Sequence, residues 1–131
     1  MNIQDCYELE VIVIGNILND RKHLTEVAVM PEYFFDQSCR AILEYVTENK
    51  TYNLYDMAYK LDVNFEAITE LATNIANKAV FQDRVMKLRE YAQVRTRVWD
   101  ELVAAQHAMN AGVDPISAGS ILTTNLKTIL G

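Results

Sequence analysis

The chain has 131 residues, half of them hydrophobic, and a formal net charge of −6 at pH 7. A chain of this length can bury one sizeable core but leaves no room for two full domains, so we expect a single domain. No segment is long and apolar enough to span a membrane, and the N-terminus has neither the basic region nor the apolar core of a signal peptide. We therefore expect a cytoplasmic protein with no membrane partner.

Charge is divided unevenly along the chain. Residues 1–75 contain 5 Lys or Arg and 13 Asp or Glu, a net charge of −8, whereas residues 76–131 contain 7 and 5, a net charge of +2. The acidic part repels phosphate backbones. In the second part Arg84, Lys87 and Arg95 are candidate phosphate contacts, although acidic neighbours offset them. We expect no tight nucleic-acid binding, and a weak nucleic-acid-binding helical module remains only an alternative function.

The sequence lacks the motifs that nucleotide and metal chemistry require. It contains no Gly-x-x-x-x-Gly-Lys-Ser/Thr phosphate loop, no Gly-x-Gly-x-x-Gly and no His-Glu-x-x-His. Cys6 and Cys39 have no Cys-x-x-Cys spacing, so we expect free buried thiols rather than metal ligands. His23 and Glu26 have the spacing of two metal ligands on a helix, but a surface pair is the better interpretation. We expect no catalytic, cofactor-binding or metal-binding residue in this chain.

Turn-forming residues are scarce, with 4 glycines and 2 prolines in the whole chain. So few breakers predict long helices and an all-α fold. We expect a compact head of about five short helices, over roughly residues 1–76. An antiparallel hairpin of one long and one shorter helix should follow, over roughly residues 77–131.

The head begins with a strongly apolar segment, Glu8–Leu18. Its β-branched residues would suit a strand, but the absence of a partner strand favours a buried central helix. Pro31 ends the next helix and introduces an aromatic plug, Glu32-Tyr33-Phe34-Phe35. Four polar residues stand where N-caps of later helices are expected: Asp20, Asp36, Asn53 and Asn64.

The hairpin begins near Lys78, and no helix breaker follows before Asn110. At about 1.5 Å per residue such a helix would extend beyond a small head and project from it. Gly112 and Asp114 then predict a helix end and a new N-cap, and the last helix should run to about Leu130. Apolar residues recur along the long helix at steps of four and three, interrupted only by Arg95: Phe81, Val85, Leu88, Ala92, Trp99 and Leu102.

Two helices side by side cover only one face of each other. The exposed remainder of the long helix would include Val94, Val98, Trp99 and Leu102, which we take as candidate oligomer-interface residues. Self-association would remove these side chains from water. The alternative is that the long helix folds back and buries them against its own head.

The order of these segments resembles the helical N-terminal domain of DnaB-family replicative DNA helicases over nearly the whole chain. The opening helix carries an apolar run around Gly15, Glu8-Leu9-Glu10-Val11-Ile12-Val13-Ile14-Gly15-Asn16-Ile17-Leu18. The most specific match is the aromatic–aspartate turn that leads into a helix, Pro31-Glu32-Tyr33-Phe34-Phe35-Asp36-Gln37-Ser38-Cys39-Arg40-Ala41-Ile42-Leu43. The segments Leu54–Leu61 and Ile68–Ala72 resemble the next two short helices, and Phe81–Gly112 with the last helix resembles the hairpin.

The resemblance implies an assembly role in DNA replication. In this family such domains form dimers through their hairpins and a six-membered collar that docks the primase and influences helicase loading. The resemblance places Gly15, Phe34, Phe35, Asp36, Arg40 and Ile42 in structural positions of the head or its turn. The same chain could alternatively be a stand-alone phage or mobile-element protein that loads or inhibits a host helicase. If the chain is instead part of a helicase, ATP and Mg²⁺ would belong only to a downstream motor domain, if one is present. The longer parent protein would be an ATP-dependent DNA helicase.

Overall fold

The computed structural model describes residues 3–131, and within that range the chain is all-helical with no β-strand, as the sequence predicted. Seven α-helices and a single 3-10 turn at Pro31–Tyr33 account for most of it. The helices are α1 (Ile3–Asn19), α2 (His23–Glu26), α3 (Gln37–Glu48), α4 (Leu54–Leu61), α5 (Phe65–Leu71), α6 (Lys78–Asn110) and α7 (Pro115–Leu130). None of these helices has the length and apolar character needed to cross a membrane.

The chain divides into two compact units, residues 1–89 and residues 90–131, which we call unit 1 and unit 2. The division falls inside α6, between Arg89 and Glu90. The sequence predicts a head that ends near residue 76, at the start of this helix. The first turns of α6 belong instead to unit 1, because Phe81, Val85 and Leu88 are buried in its core.

Helix α1 is the central helix of unit 1. It contacts α2, α3 and α5, and its residues Val13, Ile14 and Ile17 are completely buried. A helix surrounded on several sides has to be apolar around most of its circumference, which explains why its sequence alone also suited a strand. The remaining core comes from the turn before α3, from α3, α4 and α5, and from the start of α6, chiefly through Phe34, Leu43, Val46, Met57, Ile68 and Phe81.

Gly15 allows α1 to approach the end of α5 closely. A Cβ atom at this position would overlap the carbonyl oxygen of Leu71 and lie 2.7 Å from Nδ2 of Asn74. Asn74 Nδ2 itself donates to the Leu71 carbonyl oxygen at 3.0 Å, and Asn19 Nδ2 donates to the Ala72 carbonyl oxygen at 2.8 Å. Only glycine leaves room for this backbone contact.

Three of the four predicted N-caps are confirmed by hydrogen bonds from a backbone N–H three residues further along. These are Cys39 N–H to Asp36 at 3.0 Å, Asp56 N–H to Asn53 at 2.7 Å and Ala67 N–H to Asn64 at 3.2 Å. The prediction for Asp20 was wrong. Its carboxylate accepts the Lys22 N–H, two residues ahead, which shapes the turn before α2 rather than capping the helix.

Buried polar groups join the start of α6 to α1 and α2. The ring of His23 stacks on that of Phe81, with centroids 4.4 Å apart and planes 17° apart. Arg84 donates from its guanidinium to Oδ1 of the fully buried Asn16 at 2.8 Å. His23 is therefore a buried core residue with its Nδ1 3.6 Å from Glu26, and not part of the surface pair that the sequence suggested.

Candidate interaction surface

Unit 2 contains the second half of α6, a tight reversal and α7. The reversal begins at Gly112, whose φ of 101° is a backbone conformation that favours glycine. The Val113 N–H donates to the Ala108 carbonyl at 3.0 Å and the Gly112 N–H to the Met109 carbonyl at 3.1 Å. These two bonds form a Schellman motif, which satisfies the last carbonyls of α6 and turns the chain away from the helix axis.

Asp114 then starts α7, as the sequence predicted. Its Oδ1 accepts the Ser117 N–H at 2.9 Å and its Oδ2 accepts the Ser117 hydroxyl at 2.7 Å. These hydrogen bonds, led by the one from the Ser117 backbone, lower the pKa of the Asp114 carboxyl. Pro115 occupies the first helical turn, where its missing N–H costs nothing.

Helix α7 lies alongside the second half of α6. Asn125 Nδ2 donates to Oε2 of Glu101 at 2.9 Å, and both residues line a cavity of about 70 Å³ between the helices. The rest of its lining is mostly small or aliphatic, from Ala104, Ala105, Ala108, Ala118, Ile121 and Leu122. Since Ala108 and Ala118 line it near the reversal and Glu101 and Asn125 line it further away, the helices run in opposite directions.

Glu101, Ala105 and Ala108 therefore lie on the side of α6 that faces α7. Successive residues of an α-helix are about 100° apart, so Trp99, two residues before Glu101, lies about 200° around the helix. Trp99 therefore points away from α7. Its side chain is 66% exposed, and Leu102, one turn further along, is 43% exposed.

Of the four candidate interface residues, Trp99 and Leu102 lie within about 60° of each other on the exposed side of α6. Val98 and Val94 precede Glu101 by three and seven residues, so the same rotation places them within about 60° of Glu101, towards the side that faces α7. Both are half-buried. Met109, 44% exposed and seven residues after Leu102, lies on the same side as Leu102 and was not among the predicted residues. The seven-residue spacing could have identified it. We call Trp99, Leu102 and Met109 the Trp99 face.

The charge of unit 2 is close to balanced. Residues 90–131 carry three basic and four acidic side chains, a net charge of −1. Of the three candidate phosphate contacts, only Arg95 lies in unit 2. Arg84 donates to Asn16 in unit 1, and Lys87 is exposed there. The structure thus does not bring the candidate phosphate contacts together within one unit.

The aromatic–aspartate turn predicted from the sequence lies before the start of α3 in unit 1. Phe34 and Ile42 are buried and the partly buried Tyr33 packs against the core, whereas Phe35 is 70% exposed. Arg40 Nε donates to the Phe34 carbonyl oxygen at 2.8 Å and closes the turn. Asp36 caps α3.

Glu10 holds this turn against α1, a role that sequence analysis did not assign to it. Its side chain is only 3% exposed, and Oε1 accepts the N–H groups of Phe35 at 2.7 Å and Asp36 at 2.9 Å. Burial, followed by the negative charge of Asp36, raises the pKa of the neighbouring Cys39 thiol. Cys39 is buried as expected, and Cys6 is half-buried.

Within residues 6–131 the structure contains no cluster of three or more His, Cys, Asp or Glu side chains that could hold a metal ion. No family model matches the chain, and neither a curated protein nor a solved structure matches it. The Trp99 face is the candidate interaction surface of unit 2.

Proposed function

We propose that this chain is a non-catalytic assembly domain whose Trp99 face pairs with a second copy, as part of the collar of a DnaB-type replicative helicase. The observation that carries the proposal is the position of Trp99. A large aromatic side chain that is two-thirds exposed lies on the side of α6 that α7 leaves uncovered.

Physical chemistry favours a partner for this face. Isolated exposed apolar residues are ordinary on protein surfaces, but a group of large exposed apolar side chains that includes tryptophan is typical of an interaction site. Tryptophan is also the residue most enriched among those that dominate binding energy at interfaces. A second copy can supply the same group in a two-fold arrangement, in which each Trp99 packs on Leu102 and Met109 of the other chain.

The assembly role in replication is the interpretation that the motif resemblance favours. The partners proposed on that basis are a second copy of the chain, up to a hexamer, and a primase or helicase loader. The reading frame beyond Gly131 tests the helicase context. A phosphate-loop ATPase segment there is expected, whereas an immediate stop codon would contradict a collar domain and favour the stand-alone loader or inhibitor.

Sedimentation equilibrium tests the self-association. The wild-type chain should have a concentration-dependent mass above that of one chain, and Trp99→Ala or Leu102→Asp should shift it towards monomer. Loss of an aromatic anchor at an interface costs on the order of 2 kcal/mol or more, which weakens dimerisation by about thirtyfold. Tyr59→Ala is the matched control, because Tyr59 is 82% exposed but lies on α4 in unit 1. A monomeric wild type, or equal masses for wild type and Trp99→Ala, would refute the proposal.

A further inference from the structure

A second exposed aromatic surface lies in unit 1, on α4 and α5. Tyr55 and Tyr59 are four residues apart on one side of α4, with 66% and 82% of their side chains exposed. Phe65, at the start of α5, is 44% exposed and contacts Tyr55 edge-to-face, with ring centroids 5.7 Å apart. We call these three rings the Tyr59 face.

Three exposed carboxylates lie next to the residues of the Tyr59 face in the sequence. Asp56 follows Tyr55, Glu66 follows Phe65, and Asp62 lies between them in the turn from α4 to α5. Asp62 is held in place by the turn itself, because it adopts a left-handed φ of 54° while the Val63 N–H donates to the Ala58 carbonyl at 3.0 Å. The segment 55–66 therefore carries three exposed aromatic rings and three exposed carboxylates within twelve residues.

The basic side chain of this segment does not neutralise those carboxylates. Lys60 is the single Lys or Arg between Asn53 and Leu71, and its Nζ lies over the ring of Tyr45, 5.8 Å from the centroid. Tyr45 belongs to α3 and in turn contacts Tyr52 edge-to-face. The ammonium group is thus engaged by an aromatic ring outside the Tyr59 face.

We infer that the Tyr59 face binds an arginine-bearing segment of another protein. A guanidinium group stacks on an aromatic ring and donates paired hydrogen bonds to a carboxylate, so it matches both components of this surface. Net charge supports the same choice of partner, because residues 53–71 hold four acidic side chains and one basic one. The inference is independent of the proposed function, since the Tyr59 face lies in unit 1 and the Trp99 face in unit 2.

Fluorescence anisotropy of the full chain with a labelled probe tests the inference. The probe is a short fluorescein-labelled peptide of alternating arginine and alanine, compared with the same peptide made with lysine. The arginine probe should bind several-fold more tightly than the lysine probe, because lysine cannot stack in a planar manner or pair in a bidentate manner. Tyr55→Ala/Tyr59→Ala should weaken binding of the arginine probe by about fivefold or more.

A charge-matched pair of variants separates a specific site from diffuse attraction. Asp62→Asn/Glu66→Gln removes two carboxylates beside the Tyr59 face, and Glu44→Gln/Glu48→Gln removes two exposed carboxylates of α3. The first pair should weaken binding clearly more than the second. Equal weakening by the two pairs, or unchanged binding by the tyrosine variant with its helical circular dichroism intact, overturns the inference. So does loss of self-association in the tyrosine variant, which would make a second copy the occupant.

Discussion

The side chain of Glu10 accepts the backbone N–H of Asp36, the residue whose own carboxylate caps α3. Two carboxylates thus accept hydrogen bonds from the backbone N–H groups of one turn. Glu10, on α1, accepts from the N–H groups of Phe35 and Asp36, and Asp36 accepts from the N–H of Cys39 in the first turn of α3. The entry of α3 is therefore fixed relative to the central helix by hydrogen bonds as well as by the burial of Phe34.

Replacing Glu10 tests this arrangement. Glu10→Ala leaves two partly buried N–H groups without an acceptor and should lower the free energy of unfolding by about 2–4 kcal/mol. Glu10→Gln retains an acceptor oxygen and should cost no more than about half as much. The exposed Glu8→Ala, on the same helix, should change stability by less than about 0.5 kcal/mol. Urea denaturation measures all three, and equal effects of Glu10→Ala and Glu8→Ala would contradict the role of Glu10.

Two glycines of this chain should respond to alanine in opposite ways. Gly15→Ala places a methyl group against the Leu71 carbonyl and should destabilise unit 1 by about 1–3 kcal/mol. Gly119→Ala, inside α7 where no atom lies within 4 Å of the added carbon, should stabilise that helix by about 0.5–1 kcal/mol. Thermal unfolding of the two variants and of the wild type measures both changes in stability. A neutral Gly15→Ala would mean that α1 and α5 can separate at little cost.

The two thiols should differ in reactivity. Burial and the Asp36 carboxylate raise the pKa of the Cys39 thiol, so the reactive thiolate is suppressed at neutral pH, whereas Cys6 is half-buried. In a Cys6→Ser variant, the remaining Cys39 should react with a disulfide reagent such as DTNB only after denaturant is added. In Cys39→Ser, the remaining Cys6 should react under native conditions. Rapid native labelling of Cys39 would show that the start of α3 opens readily.

The N-terminus of α7 should depend on pH through Asp114. Hydrogen bonds from Ser117 lower the pKa of this carboxyl below its ordinary value of 3.8, so the folded helix favours the ionised form. The resulting stabilisation is present above that ordinary value and is lost as the pH falls through the lower folded value. Titration of the Asp114 carboxyl carbon by NMR should give a midpoint below 3.8. Ser117→Ala should move it part of the way back, and an unchanged midpoint would mean that the hydroxyl contributes nothing.

Sequence reasoning succeeded where the controlling interaction is local. Asp36, Asn53, Asn64 and Asp114 all accept the N–H three residues ahead, and such caps depend on residue type and spacing alone. Asp20 is also an aspartate in a turn before a helix, but its carboxylate accepts the N–H two residues ahead and does not cap α2. The helical periodicity also indicated exposed positions for Trp99 and Leu102, which are 66% and 43% exposed, whereas Val94 and Val98 are half-buried.

Long-range contacts escaped prediction for a physical reason. Glu10 meets its partners 25 and 26 residues away, and Gly15 meets Leu71 across the interface of α1 and α5. No spacing rule links such residues, because the contact exists only once the helices have packed. The same holds for Phe35, which differs from buried Phe34 only in the direction that the turn gives its side chain.

The reversal at residues 111–114 has a kinetic consequence. Its hydrogen bonds join residues no more than five positions apart, and only 24 positions separate Glu101 from Asn125, the hydrogen-bonded pair that joins the two helices. Closing so short a loop costs little chain entropy, and contacts that are close in sequence form quickly. We therefore expect the α6–α7 pair to assemble early as the chain folds, while α1 must still find α5 across a far longer stretch. The tryptophan of an isolated, newly formed pair would already be displayed to whatever protein meets it.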